Sequence, residues 1–373
     1  MTKQHRAHEP LFHVVKRDAL PLWKSVAVRV IAIALALLAC GLFMMAITGI
    51  SPIELVQRMC AGNFGTKRKI WILLMNLSIL QCMSLAVTPA FRMKFWNLGA
   101  EGQALIGALI SVILMIKLVG GMPQWLTLIV IAVASMVAGF IWGIIPAFFK
   151  AQFGTNETLF TLMMNYVAMQ LVQFSIPFID KSGSNVIRSV ASPWGSTWFP
   201  NMFGNRYGLV VVIAVVLTVL MFIYLKFSKQ GYEISVVGES ENTARYIGIN
   251  VKKVVLRTMA ISGLLCGLCG FIFAVGKDAT VNVDTIGGMG FTAVMVSWLA
   301  KFNPVIMTLA SFLIVFLENG SSQVIEDLKL GNSSIGGILT GITLFFIIGC
   351  EFFIQYKLQT KSSKKEVKLC LRQ

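Results

Sequence analysis

The chain has 373 residues, 56% of them hydrophobic and only 13% charged, with a mean hydropathy of +0.77 and a formal net charge of +16. So little polar surface cannot coat a water-soluble globule of this size, so the expected solvent is the bilayer and no segment is left for a separate soluble domain. The positive excess lies between the apolar runs and at the two ends, a distribution that sets membrane orientation and does not point to nucleic acid as a partner.

Residues 1–25 form a basic leader containing Lys3, Arg6, Lys16, Arg17 and Lys24. The first apolar run, Val26 to Ile50, is longer than the apolar region of a signal peptide. It also continues past Leu37, Leu38, Ala39 and Cys40, which only faintly resemble a lipoprotein processing site. It reads as an uncleaved first helix. Further runs fall at about Ile70 to Ala90, Gln103 to Val119, Trp125 to Phe149, Glu157 to Ile176, Gly208 to Phe227, Leu256 to Val275, Gly288 to Ala300, Pro304 to Leu317 and Ser334 to Phe353. A membrane helix needs about 20 apolar residues, and unpaired sheet edges cannot face lipid. The predicted fold is therefore an all-α integral membrane protein, a bundle of about ten transmembrane helices. The runs at Gly288 to Ala300 and Pro304 to Leu317 are short or broken.

The membrane domain spans 26–354, interrupted by a cytoplasmic segment at 228–255 and followed by a basic cytoplasmic tail, 355–373. An even number of spans puts both termini on one side. The tail carries Lys357, Lys361, Lys364, Lys365, Lys368 and Arg372, and the loop between Phe227 and Leu256 is basic too, which makes that side the cytoplasm. Arg58, Lys67, Arg68 and Lys69 then fall outside, against the rule. The polar stretch Asp180 to Arg206, with Pro193, Trp194, Trp198 and Pro200, also lies outside, as a partner surface or a plain connection.

The seven cysteines are scattered; Cys266 and Cys269, one turn apart within a run and without a nearby His, read as packing residues and not as a metal site. Small residues four apart at Gly139 and Gly143, Gly263 and Gly267, and Gly337 and Gly341 suit close helix packing.

Three polar clusters stand out. At Phe95 to Gln103, Gly99 and Gly102 permit irregular backbone, while Asn97, Glu101 and Gln103 supply donors and acceptors. They suit either a polar neutral solute such as a sugar or nucleoside, or a turn with a capping carboxylate. At Gly154 to Tyr166, Thr155 or Asn156 can cap a helix, and Asn165, two turns inside, suits an interhelix bond or a pathway role. At Val237 to Asn250, Ser240 as cap, Glu241 in the first turn and Gly248 past the end outline a two-turn helix. A helix that short needs a surface to pack on, which suits docking to a cytoplasmic partner; the alternative is a plain re-entry turn. The chain has no Gly-x4-Gly-Lys-Ser/Thr loop, and its three histidines, His5, His8 and His13, all lie in the leader. Neither ATP hydrolysis nor other catalysis is expected of it.

Taken in order, these clusters resemble the permease subunits of ABC importers for ribose-type sugars and nucleosides. Asn97, Gly99, Glu101, Gly102 and Gln103 are similar to the Asn-x-Gly-x-Glu-Gly-Gln signature, and Gly154 to Tyr166 to the nucleoside branch. Gly238 to Ile249, with Ala244, Arg245 and Tyr246 before Gly248, is similar to the coupling segment. Gly288 to Pro304 is similar to a Gly-rich entry into a short helix followed by Asn-Pro. The resemblance implies a second permease subunit, identical or sister, two cytoplasmic ATPase subunits that use the ATP, and an extracellular solute-binding lipoprotein. This chain itself would bind no cofactor. Gly238, Glu239, Ala244, Arg245, Tyr246 and Gly248 would meet the ATPases, and Asn97, Glu101, Gln103 and Asn165 would lie near the pathway. Met295 to Lys301 departs from the family in being bulkier and more basic, with Trp298 placed to narrow the pathway. Import of nucleosides is the first reading and import of ribose or another simple sugar the second. An ion-driven secondary transporter is a reading of another class, which the lack of an internal repeat and the scarcity of intramembrane carboxylates disfavour.

Overall fold

The computed structural model describes residues 12–16, 21–118, 120–180, 198–329 and 334–360. Most of the leader, the tail beyond Thr360 and residues 181–197 of the outer connection, with Pro193 and Trp194, lie outside the described residues. The chain divides into two compact units, residues 64–316 and residues 1–63 together with 317–373.

The larger unit begins with α3 (Lys67–Arg92), whose first turn is fixed by Thr66 accepting the Lys69 backbone N–H at 3.3 Å. There follow α4 (Ala100–Leu118), α5 (Gln124–Phe153), α6 (Glu157–Ile179) and α7 (Gly208–Phe227), then two short helices, α8 (Lys229–Glu239) and α9 (Glu241–Tyr246). Next come α10 (Val251–Phe271), which continues as a π-helical turn, Ile272–Asp278, then α11 (Met289–Leu299) and the start of α12 (Pro304–Asp327). At the centre, α10 packs against α3, α4 and α5, while α6 lies on α4, and α7 and α11 on α3. The contact of α5 with α10 depends on glycine, because a Cβ on Gly263 would sit 2.6 Å from the Gly139 carbonyl oxygen. Without side chains there, the two backbones touch. The Ser135 hydroxyl, 2.6 Å from the Gly267 carbonyl and 2.9 Å from that of Gly107, ties α5 to both α10 and α4. The outer surface is apolar: α7 exposes Val215, Val216, Val219, Leu220 and Ile223, as a lipid-facing helix should.

The smaller unit contains α1 (Leu22–Thr48), α2 (Pro52–Phe64), the end of α12 and α13 (Ser334–Gln355). Helix α1 packs along α13, with Cys40 Sγ 3.6 Å from Thr343 Oγ1. Helix α2 sits on α12, where added Cβ atoms at Gly62 and Gly320 would meet Gln323 and Met59 at 2.6 and 2.9 Å. Strands β1 (Phe12–Lys16) and β2 (Tyr356–Thr360) pair antiparallel, Val14 opposite Leu358, and join the two terminal segments in a ribbon.

Among the described residues nine helices are long and apolar enough to cross a membrane, one fewer than the hydropathy runs. The difference is α11: at 1.5 Å per residue its 11 residues reach about 16 Å, roughly half a bilayer core. The run after it is not short, contrary to expectation. Its apolar stretch ends at Leu317, but α12 continues for 24 residues in all, because helical hydrogen bonding persists through its polar second half. The basic segment 58–69, expected to be an outer loop, is also partly helix. Arg58 on α2 bonds Glu54 at 2.8 Å and lies 3.8 Å from Asp327, so part of its charge is compensated within the chain.

Candidate functional site

The chain between α3 and α4, residues 93–99, is mostly buried in the larger unit, with Lys94 and Trp96 exposed. Asn97, Glu101 and Gln103 each find a partner there. Leu98 N–H donates to Thr161 Oγ1 of α6 at 3.3 Å, and the Leu98 carbonyl accepts from Asn165 Nδ2 at 2.8 Å. Asn165 Oδ1 in turn accepts the Gly102 backbone N–H at 2.9 Å. One amide on α6 thus holds both the end of the link and the first turn of α4. Gly102 must lack a side chain, since a Cβ there would lie 2.8 Å from Asn165 Oδ1.

Asn97 and Gln103 form a second node. Asn97 Oδ1 accepts from Gln103 Nε2 at 3.1 Å and from the Gly99 N–H at 3.2 Å, while Asn97 Nδ2 donates to Ser262 Oγ of α10 at 3.2 Å. Two amides and a hydroxyl satisfy one another in a region whose walls are otherwise apolar, which makes each expensive to remove.

Glu101 is the third node. Its carboxylate accepts the backbone N–H of Gly288 at 2.8 Å and of Gly290 at 2.6 Å, both at the start of α11. These N–H groups have no intrahelical partner, and the positive end of the helix dipole favours an anion there. A membrane-embedded carboxylate is costly alone, and here α11 supplies the compensation.

All four expected pathway residues are therefore buried: Asn97, Glu101, Gln103 and Asn165 expose at most 3% of their surface. The structure brings them together, and their hydrogen bonds go to the protein. The groups that face outward nearby are aromatic and apolar. Phe291, Met295 and Trp298 share the exposed side of α11, and Trp298 meets Trp96 edge-on at 5.1 Å and Phe91 at 6.5 Å. Ser262 was not singled out in the sequence, because a serine in an apolar helix most often bonds its own backbone; its use here rests on a partner 165 positions away. Gln81 was likewise missed: on α3 it donates to the Pro304 carbonyl at 3.1 Å and accepts from Ser311 at 3.3 Å. Its signal is an amide within an otherwise apolar run.

The segment 228–250 folds as expected at its end and differently at its start. Ser240 Oγ accepts the Thr243 N–H at 3.3 Å and Gly248 adopts φ 84°, so α9 begins and ends where the capping pattern places it. Ahead of it stands a helix the sequence reading left as loop, α8, started by Ser228 Oγ accepting the Gly231 N–H at 2.9 Å. Gly238 near its end packs on the Arg92 carbonyl of α3 so closely that no Cβ fits. On α9, Ala244 is fully buried in a core of α3, α5, α8 and α10 residues, whereas Arg245 is exposed and Tyr246 is 92% exposed. Glu239 is exposed as well. Among the described residues no three His, Cys, Asp or Glu side chains come together so as to hold a metal ion.

The larger unit thus holds a half-length helix, entered through glycines and gripped by a buried carboxylate, together with a short helix pair. The chain matches the family described as branched-chain amino acid transport system / permease component over residues 70–348, and it belongs to that family. It is similar to the guanosine ABC transporter permease protein NupP of Bacillus subtilis, 28% identical over 343 residues that cover 90% of this chain and 97% of the relative. The nucleoside ABC transporter permease protein NupB of Lactococcus lactis is 25% identical, with 90% of this chain and 93% of the relative covered. A glucose ABC transporter permease protein of Haloferax volcanii is 24% identical, with 91% and 92% covered. The chain is thus a multi-pass membrane permease of the ABC importer type, a class that works with ATPase and binding-protein partners.

Proposed function

We propose that this chain forms the translocation pathway of an ATP-driven importer of nucleosides. The observation that carries the reading is the 28% identity to a guanosine permease across nearly the whole of both chains. In the proposed arrangement a second permease subunit, identical or sister, faces this one. Two ATPase subunits hold the ATP and dock on the exposed Glu239, Arg245, Tyr246 and Gly248, while Gly238 and Ala244, expected at the same surface, are buried and serve the coupling segment by seating it on the bundle; a solute-binding lipoprotein delivers substrate from outside. The pairing of β1 with β2 supports both termini lying on one side, and the positive-inside rule makes that side cytoplasmic.

Motion would travel in one chain of contacts. A push on the exposed face of α9 reaches α3 through the tight contact of Gly238 with Arg92. It passes along the 93–99 link to α4, and Glu101 carries it to α11. Asn97, Gln103 and Asn165 act in this scheme by holding the link, and Trp96 and Trp298 supply the surface a base can stack on.

Uptake of labelled guanosine and uridine by cells expressing the chain with its neighbouring genes tests the proposal. ATP-dependent uptake that excess ribose and glucose leave unchanged is expected. Competition by a sugar would favour the second reading, which the similarity to a glucose permease supports. Uptake indifferent to ATP depletion would overturn both.

A further inference from the structure

Between α5 and α10, on the outer surface of the larger unit, runs a groove of about 540 Å³. Its walls are Phe140 and Ile144 from α5 and Leu256 and Ala260 from α10, all partly exposed and all within helices long enough to span the bilayer. At the end where α10 begins, the walls change character to Asn250, Lys252, Lys253 and Arg257. A second cavity, also about 540 Å³, adjoins this end and shares Asn250, Lys253 and Arg257 with the groove. It adds Lys229 from the start of α8 and a single carboxylate, Glu233.

The charges there are not used up by the fold. Glu233 is taken by the Arg257 guanidinium at 2.8 Å, yet Arg257 Nε is buried without an acceptor. Lys252 reaches only the neutral Gln152, at 3.3 Å, and among the described residues Lys229 and Lys253 make no ion pair. The first turn of α10 contains no acidic residue, so the positive end of its dipole, with Asn250 capping the Lys253 N–H, adds to the same field. An apolar groove inside the membrane that ends in several cations with one carboxylate between them is complementary to one kind of molecule, with acyl chains at one end and an anionic phosphate head at the other.

We infer that the α5–α10 groove is a binding site for an anionic phospholipid. Its acyl chain lies along Phe140, Ile144, Leu256 and Ala260, and its phosphate is held by Lys252, Lys253 and Arg257 beside α8. Because α8 packs on the end of α3, the lipid head becomes part of the support of the short helix pair, independently of which solute the permease carries.

Native mass spectrometry of the purified full chain, with phosphatidylglycerol, phosphatidylcholine of the same chains, or inorganic phosphate as probes, tests this. One phosphatidylglycerol retained per chain is expected, with occupancy falling about tenfold in Lys253→Glu, which reverses a surface charge at the site. It should fall similarly in Ala260→Trp, which fills the groove. Equal retention of phosphatidylcholine would mean ordinary boundary lipid, and phosphate competing as well as the lipid would mean a head-only anion site; either overturns the proposal. Should a variant fail to fold, photolabelling of the wild-type chain in membranes with a diazirine-bearing phosphatidylglycerol decides. Label on peptides containing residues 140–144 or 256–260 supports the site, and label confined elsewhere, as when another protein covers this face, refutes it.

Discussion

Glu101 and Gly290, 189 positions apart, are joined at 2.6 Å, the carboxylate of α4 accepting the backbone N–H that opens α11. With the second bond to Gly288, one side chain fixes where the half-length helix starts. Glu101→Gln keeps the size but offers one acceptor where two are needed and turns an NH2 toward a backbone donor. Hydrogen bonds to a charged group contribute about 1.5–3 kcal/mol each, so α11 should loosen while the rest of the chain still inserts. Expected are a loss of uptake of an order of magnitude or more and faster amide exchange at residues 286–292, read by hydrogen exchange; normal uptake would deny α11 its role.

Gly263 meets Gly139 backbone to backbone. Gly263→Val forces α10 away from α5, and overpacking of this kind costs about 1–3 kcal/mol. The melting temperature of the detergent-solubilised chain should fall by several degrees. Gly337→Ala, where an added Cβ has open space, should leave it unchanged.

Asn165 uses both ends of its amide, donating to Leu98 and accepting from Gly102. Asn165→Ala strands two buried backbone groups, at about 1–3 kcal/mol apiece, and should reduce folded yield as well as uptake. Asn165→Asp retains the acceptor alone and should fall between wild type and alanine in both measurements.

Arg245 and Glu241 form an exposed i,i+4 pair with a 3.4 Å separation, a kind that adds little stability. Arg245→Glu and Tyr246→Ala should accordingly leave expression and melting of the permease as they are while uncoupling ATP hydrolysis from uptake in the assembled importer. A parallel drop in folded permease would assign these residues to structure and remove the docking role.

Cys60 on α2 is the exposed cysteine among the described residues; Cys40, Cys82, Cys266, Cys269 and Cys350 are buried. With Cys370→Ser to remove the thiol of the tail, a membrane-impermeant maleimide added to intact cells should modify Cys60 from outside. Labelling only after the cells are opened would reverse the proposed orientation.

The helical class and most helices were legible because apolar runs of membrane length have few other uses. The α9 caps were legible too, since Ser240 and Gly248 act on neighbours in sequence. Helix α8 was not, because nothing in Lys229 to Glu239 is apolar enough to announce a span, and Ile234 and Val237 are buried by residues of α3, α5 and α10 far away in sequence. Asn97, Glu101 and Gln103 stood out as one cluster and Asn165 as part of another, but that all four turn inward to protein partners was not legible. Whether Glu101 meets a solute or the N–H groups of Gly288 and Gly290 depends on a contact between distant parts of the chain, which local pattern does not encode. Residues 58–69 kept the wrong texture for the same reason: Asp327, which stands near Arg58, is 269 positions later.

The ribbon of Phe12–Lys16 with Tyr356–Thr360 makes the polypeptide a closed circuit in hydrogen bonds although it is linear in covalent ones. During synthesis α1 precedes residues 64–316 and its partner α13 follows them, so the smaller unit stays incomplete until the larger one has been made.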